Sequence, residues 1–319
     1  MNKPLISITV CVRDGVNWID DCMVALCAQT HRPLEIIAVD DGSTDGSREK
    51  LLQWNDEKAE QEKSNGIPVR VLTQEPLGLS AGRNYSLNEA NGDWVAITDI
   101  DCRPRVDWIE RLFSSSKEVE AVTGRVIFNQ GRTSVSKLRA RSIAWKYSSR
   151  SENTTLANGP CSMFKRESLI SRGGFDPSWY HAEDMEVSMK ILQSGELIRY
   201  EPEAVVDHVA EESLFHFLSK RRRDARAHTR IMRYYRGVKH DFSNDGKIIV
   251  FFLLPFIVLI ASITTFSDIL YPVMAIMLFM ILFRNYLLWS AALWLGAFEG
   301  CIDALLGKNG HKPLFRKQV

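Results

Sequence analysis

Between Leu5 and Val39 the chain reads strand, helix, strand, and no other stretch constrains its fold as strongly. Leu5-Ile6-Ser7-Ile8-Thr9-Val10-Cys11-Val12 is a buried strand, Trp18 to Ala28 carries apolar residues at helical spacing, and Pro33 to Val39 is a second strand. Two strands joined through a helix open a parallel sheet, and such sheets receive ligands at the carboxyl ends of their strands. The second strand runs out into Asp40-Asp41-Gly42-Ser43-Thr44-Asp45-Gly46-Ser47, where carboxylates meet a Gly/Ser turn. Ser43 or Asp45 can cap the helix starting near Ser47. A capped turn accounts for these letters about as well as a nucleotide contact does.

The same kind of ending recurs further along. A polar helix with Glu49, Lys50, Glu57, Lys58 and Glu60 leads to a third strand, Val69 to Leu72, and then to Gly78-Leu79-Ser80-Ala81-Gly82-Arg83-Asn84. The glycines free the turn, and Arg83, one turn into a helix, is placed to reach a phosphate or base. The next strand, Gly92-Asp93-Trp94-Val95-Ala96-Ile97-Thr98-Asp99-Ile100-Asp101, ends in two carboxylates one residue apart. Strand alternation points both the same way, and two convergent hard oxygens suit Mg²⁺ or Mn²⁺ carrying a diphosphate. An isolated Asp-x-Asp is more often a solvated turn, but this one closes a series.

With 319 residues, 45% hydrophobic and 25% charged, the chain can bury a full core and is not disordered. The net charge of +1 hides basic clusters at residues 220–239 and in the last dozen positions. Cys11, Cys22, Cys27, Cys102, Cys161 and Cys301 form no Cys-x-x-Cys pair, so packed, reduced thiols of a cytosolic domain are expected, without disulfides. The N-terminal apolar run is cut by Arg13 and Asp14 and lacks a cleavage site, so a buried first strand rather than a signal peptide is expected there.

Past residue 115, Val119 to Val126 reads as a strand, and Asn158-Gly159-Pro160-Cys161-Ser162-Met163-Phe164 as another that starts at a Gly/Pro turn. Gly173-Gly174-Phe175-Asp176-Pro177-Ser178-Trp179-Tyr180-His181-Ala182-Glu183-Asp184 then opens the helix Met185 to Leu192. Carboxylates at a helix start are stabilised by the dipole and the free amides, so Glu183 and Asp184 read as caps on local grounds alone.

In order, Ser7-Ile8-Thr9-Val10, Gln29-Thr30, Val39-Asp40-Asp41-Gly42-Ser43-Thr44-Asp45, Gly78-Leu79-Ser80-Ala81-Gly82-Arg83-Asn84, Gly92-Asp93-Trp94 and Asp99-Ile100-Asp101 resemble the family 2 glycosyltransferases. The resemblance covers about the first 210 residues. It implies an α/β fold of the GT-A kind, a Rossmann-like mixed sheet that binds nucleotide-diphospho-sugars, and an enzyme that inverts the sugar's anomeric centre with Mg²⁺ or Mn²⁺. Carried over residue by residue, Asp40 and Asp41 would hold base and ribose and Arg83 would join them in donor binding. Asp99 would sit on the sugar side of the donor and near the metal, with Asp101 the metal ligand. The Glu183-Asp184 pair resembles the family's acceptor-side acidic motif, with Asp184 the expected base and Glu183 beside it. His181, Trp179 and Gly159 are further acceptor-side candidates. Val12-Arg13-Asp14-Gly15 departs from the family's usual Pro-Thr-Tyr-Asn at the first strand's end.

Residues 216–239 hold nine Lys or Arg against one acid, Asp224, and Arg222, Arg226, Arg230 and Arg233 share a helical face. Nucleic acid is one partner for such a run. The apolar span that follows favours anionic lipid headgroups or a phosphorylated acceptor instead, and no nucleic acid is expected. Ile248 to Phe266 is an uncharged run of 19 residues, about 28 Å as a helix, the thickness of a bilayer core. Ile269 to Phe298 is apolar except for Arg284 and Asn285. It reads as one long tilted span or as a span to Phe283 with a second segment after it; two spans in total are expected, near 248–266 and 269–298.

Positive flanks, including Lys308, Lys312, Arg316 and Lys317, put both ends and the catalytic domain on the cytoplasmic face of an integral membrane protein. The expected organisation is a catalytic domain over 1–240, with a donor half to 115, an acceptor half over 116–215 and a basic juxtamembrane helix over 216–240. A transmembrane region over 241–319 follows. A chain cut before Lys247 is expected to fold alone. The expected function is glycosyl transfer from a nucleoside diphosphate sugar to a lipid-linked or glycan acceptor among membrane lipids; the alternatives are a nucleotidyltransferase and a non-catalytic, membrane-anchored nucleotide-sugar scaffold.

Overall fold

The computed structural model describes residues 3–55, 65–129, 131–179, 181–239, 248–265 and 270–308. In chain order the elements are β1 (Ile6–Val12), α1 (Ile19–Cys27), β2 (Leu34–Asp41), α2 (Ser47–Leu52), β3 (Val69–Gln74), α3 (Leu79–Glu89), β4 (Trp94–Asp99) and β5 (Cys102–Pro104). There follow α4 (Trp108–Ser114), β6 (Ala121–Phe128), α5 (Ser134–Ser148), β7 (Asn153–Thr154), β8 (Ser162–Lys165), α6 (Arg166–Ser171), α7 (Glu183–Gln193), β9 (Ile198–His208) and α8 (Leu214–Tyr234). A 3-10 turn (Ile249–Leu253) then leads to α9 (Leu254–Thr265), α10 (Leu270–Leu282) and α11 (Arg284–Leu305). Glu57, Lys58 and Glu60 of the expected polar helix, and Lys312, Arg316 and Lys317 of the basic tail, lie outside the described residues.

The strands form one mixed sheet in the order β3-β2-β1-β4-β8-β6-β9-β5, with β7 paired to β9. Its first four strands are parallel, while β8 runs antiparallel to both β4 and β6. Strand periodicity decides which side each residue serves. Ile6, Ile8, Val10 and Val12 of β1 and Leu34, Ile36 and Ala38 of β2 pack with α1, α4 and α5 on one face. Ile37, Val95 and Ile97 point the other way, onto Leu87 of α3, Leu169 of α6 and Val187 of α7. This is the α/β, GT-A-like sheet, covered on both faces.

The chain enters β4 through a buried polar knot. Ser7 Oγ donates to Glu35 (2.6 Å), Gly92 N donates to Ser7 Oγ (2.9 Å), and Asn91 N donates to Glu35 (2.7 Å). A Cβ at Gly92 would stand 2.7 Å from Ser7 N, so glycine is required by close approach. Burial opposes ionisation of Glu35, yet the bonds from Ser7 and Asn91 hold its carboxyl below the usual range.

Three features of the C-terminal region bear on the expected spans and basic face. The run from Ile248 opens with the 3-10 turn, and Pro255 sits in the first turn of α9, where its missing N–H leaves no bond unmade. The described part of 269–298 forms two helices, the arrangement of the reading with a segment to Phe283 and a second one after it. It breaks at Phe283 (φ −107°, ψ 16°), where Arg284 and Asn285 interrupt the apolar sequence and Asn285 Nδ2 turns to Ser134 Oγ (3.3 Å). Lastly, the arginine face of α8 is not a bare surface for headgroups. Arg222 pairs with Glu299, Arg226 makes a two-bond fork with Asp303 (2.6 and 2.8 Å), and Arg233 donates to the Lys308 carbonyl (3.2 Å). Carboxylates four residues apart on α11 match arginines four apart on α8, a fit that counting acids near the run in sequence does not show.

Between those pairs Gly296 and Gly300 let the helices touch, since a Cβ at either would collide with the Arg222 carbonyl or the Thr229 hydroxyl. Phe217, Ala225, Trp289 and Leu293 complete the seam. Among the described residues α11 alone is long and apolar enough to cross a membrane, with mean hydropathy 1.2 and 33% of that stretch buried.

Candidate active site

The carboxyl ends of β1, β2 and β4 bring three acidic loops to one edge of the sheet. At β2 the two aspartates differ. Asp41 accepts from Gln74 Nε2 (2.6 Å), Leu77 N (2.8 Å) and Gly78 N (3.0 Å), so it shapes the turn after β3. Asp40 accepts only long bonds from Ser43 N (3.4 Å) among the described residues. The loops after β1 and β2 are zipped together: Thr44 N donates to Asp14 (2.8 Å), and Gly15 N donates to Ser47 Oγ (2.9 Å). Asp45 accepts from Ser47 N (3.0 Å) across the turn into α2, but the N-cap is Gly46 and no side chain, of Ser43 or Asp45, makes the cap bond.

At β4 the ligand atoms of Asp99, Asp101, Cys102 and His208 lie within 4.8 Å of one another. His208 comes from the last residue of β9 and was not singled out from the sequence; the signal was there, since Asp207-His208 also ends an apolar strand. Its Nδ1 meets the Val209 carbonyl at 2.7 Å. A carbonyl can only accept, so Nδ1 carries a proton, and Nε2 faces Asp101, 3.6 Å away. Phe128 stacks on the ring at 4.4 Å and fixes its plane. Burial and the neighbouring Asp99 push the Asp101 carboxyl up despite His208, a cost that a divalent cation among these groups would remove. The Cys102 thiol is pushed well up by burial and stays neutral, leaving two carboxylates and an imidazole. That donor set fits Mg²⁺ or Mn²⁺.

Arg83 joins this cluster to the acidic start of α7. Buried under Phe175, it donates to Asp99 (3.1 Å) and to Glu183 (2.7 Å). Burial disfavours its charge, but Glu183 and Asp99 hold its pKa above the ordinary value. Gly159 lies against it, and a Cβ there would stand 2.9 Å from the guanidinium. The Gly159 N–H donates to Asp184 Oδ2 (2.9 Å), while Asp184 Oδ1 accepts from Met185 N (2.8 Å). Glu183 is buried in its ion pair with Arg83, whereas Asp184 is only half-buried in the cavity wall.

Arg83, Asp99, Gly159, His181, Asp184 and His208 all line one cavity of about 380 Å³. On its far side α8 contributes Asp224, which accepts from His181 Nε2 and from Arg221 (2.7 Å). Burial opposes it, but Arg221 and His181 hold Asp224 well below the usual carboxylate range. Sequence reasoning counted Asp224 only as the lone acid in a basic run. Asp40, Asp41 and Asp101 do not line this cavity. Trp179 does not line it either: it is buried beneath Arg230, whose guanidinium lies 3.8 Å from the ring centre.

The chain matches the family model for Glycosyl transferase family 2 over residues 7–173, and that for Glycosyl transferase family group 2 over residues 94–296. The glycosyltransferase GlyA of Streptococcus pneumoniae is 32% identical over 118 residues, 36% of this chain and 16% of that protein. The putative teichuronic acid biosynthesis glycosyltransferase TuaG of Bacillus subtilis is 30% identical over 157 residues, 48% of this chain and 60% of that protein. The matched region thus spans less than two thirds of either relative. Among solved structures, the mannosyltransferase PcManGT from Pyrobaculum calidifontis, in complex with GDP-Man and Mn²⁺, superposes with a TM-score of 0.66 at 22% identity, over 96% of this chain and 88% of that one. Residues 1–349 of S. aureus TarS with UDP-GlcNAc give 0.53 at 18% identity, over 78% and 77%. At these identities the likeness is one of fold.

Proposed function

The chain belongs to glycosyl transferase family 2, and from that premise we propose that it moves a sugar from a nucleoside diphosphate sugar to a hydroxyl of a lipid-linked or membrane-held glycan acceptor, inverting the anomeric centre. One juxtaposition carries the reading: Asp99 and His208 face Asp184 across a single cavity, with Arg83 between them. Asp40 and Asp41 at the β2 exit take the nucleoside end of the donor. In the reaction the acceptor oxygen attacks the anomeric carbon opposite the diphosphate, and Asp184 accepts the hydroxyl proton as the new C–O bond forms. The bond to the diphosphate breaks, its electron pair passing to the phosphate oxygen. A divalent cation held by Asp99, Asp101 and His208 would neutralise charge on that leaving group. Arg83 keeps the two sides in register. The GDP-Man and UDP-GlcNAc of the solved relatives support a nucleotide-sugar donor here.

The acceptor assignment rests on the C-terminal helices. Phe256, Ile260, Met274, Ile281 and Leu282 of α9 and α10 are each more than half exposed. A run of large apolar side chains on this scale is stable against lipid and not against water. The proposed protein is therefore membrane-attached, with its catalytic domain on the cytoplasmic face where the Lys- and Arg-rich flanks belong.

The deciding experiment is Asp184→Asn in purified protein supplied with Mn²⁺, donor and acceptor. Transfer should fall by about 10²- to 10⁴-fold, the worth of a general base, with nucleotide affinity unchanged. Glu183→Gln serves as a control for the Arg83 pair. Near-normal transfer by Asp184→Asn would move the base elsewhere, and His181 would be the next group to test.

A further inference from the structure

We propose that a groove between α5 and the α10–α11 corner, on the side of α5 away from the active-site cavity, binds the headgroup of an anionic phospholipid. Helix α5 carries four basic side chains, Lys137, Arg139, Arg141 and Lys146, and no acidic one. It divides them. Arg139 and Lys146 line the active-site cavity, whereas Lys137 and Arg141, one turn apart, are exposed on the groove side.

The groove has a volume of about 370 Å³, and Arg284 at the start of α11 faces it as a third cation. Among the described residues no carboxylate lines it, and none of the three cations has an acid within ion-pair distance. The contrast with the neighbouring seam is direct: Arg222 and Arg226 each meet a carboxylate of α11. Asn285, also in the wall, donates through Nδ2 to Ser134, while its buried Oδ1 has no hydrogen-bond partner. The groove thus offers three cations for a phosphate, the charge that an anionic phospholipid headgroup carries.

The remaining wall explains why the ligand is a lipid. Leu138, Ile281 and Leu282 line the groove, and the last two are 70% and 66% exposed at the end of apolar α10. Cations begin where that helix ends. This is the step from acyl chain to phosphate at a bilayer surface, where each Lys or Arg contributes about fivefold to anionic-lipid affinity. A free phosphate would satisfy the cations and leave the apolar wall in water. The inference rests on the reading of α9 and α10 as membrane-embedded.

Two measurements test it. In the first, partition of the full chain into phosphatidylcholine vesicles reports membrane attachment alone; failure to partition would overturn that reading and this one with it. In the second, detergent-solubilised full chain is titrated with phosphatidylglycerol or phosphatidylcholine and bound lipid is counted by native mass spectrometry. Wild type should prefer phosphatidylglycerol, and K137Q/R141Q/R284Q should lose roughly a hundredfold in affinity for it, with phosphatidylcholine unaffected. Nucleotide affinity reports folding of the variant. Should the triple variant fail to fold, Arg141→Gln, a change on an exposed helix face, should still cost about fivefold. Excess inorganic phosphate should leave the phosphatidylglycerol in place. Equal retention of the two lipids, undiminished phosphatidylglycerol binding by the variants, or displacement by phosphate would each overturn the lipid site while leaving membrane attachment standing.

Discussion

At the scale of single residues, one buried guanidinium does what strand ends cannot do by themselves. The strand-end carboxylate Asp99 and the helix-start carboxylate Glu183 belong to different halves of the domain, and both bond to Arg83. Removing one partner of such a pair leaves a buried charge unpaired, which is why Gly159 and Phe175 close around it. His208 has a narrower task. With Nδ1 tied to the Val209 carbonyl, its Nε2 is aimed at the Asp99–Asp101 pair. His208→Ala should therefore weaken Mn²⁺-dependent nucleotide binding by about 10- to 100-fold and leave metal-free binding unchanged. Calorimetric titration of UDP or GDP with and without Mn²⁺ checks it; an unaltered metal dependence would remove His208 from the site. Asp99 and Asp101 were legible because strand alternation and strand-end placement are local. His208 was not, because it arrives from the far part of the sheet through the β6–β9 pairing.

At the scale of elements, α8 works on two sides. One side carries Asp224 to His181 and so supplies part of the cavity wall; the other receives α11 along Gly296 and Gly300. The arginine stripe is legible in sequence, but its meaning depends on Glu299 and Asp303, which only folding brings alongside. Gly300→Val would drive a branched side chain into the Thr229 hydroxyl. It should destabilise the chain by about 1–3 kcal/mol, as overpacking of a tight contact does, and lower the unfolding temperature. Differential scanning calorimetry on the full chain, with Leu305→Ala at an exposed position of α11 as control, measures the difference. An unchanged melting temperature would mean that the seam contributes nothing to stability.

At the scale of the whole molecule, the partition into a catalytic domain to residue 240 and a membrane region after it meets the α8–α11 seam. Phe217 is fully buried against Trp289 and would face water in a chain ending at 247, which lacks that tryptophan. Exposing one large buried aromatic costs roughly 3–5 kcal/mol, and Arg222 and Arg226 would lose their carboxylates as well. The truncated chain should still bind nucleotide, because the β1–β4 edge is intact, but it should melt well below the full chain and lose transfer activity as α8 loosens. Thermal unfolding and transfer assays on both forms test this. Equal stability would mark the C-terminal region as an anchor only.

The sequence by itself determined the layered α/β sheet, the helices between strands and the placing of Asp40, Asp99 and Asp101 at strand ends, because apolar periodicity and turn residues act over a few neighbours. It also carried the acidic start of α7. Tertiary structure alone decided that Arg83 is clamped between Asp99 and Glu183, that Glu183 is buried while Asp184 stays half-buried in the cavity wall, and that Arg222 and Arg226 of α8 pair with carboxylates of α11. Those outcomes hang on side chains far apart in the chain, whose meeting follows from sheet order and helix packing, and no local pattern encodes the distance between them.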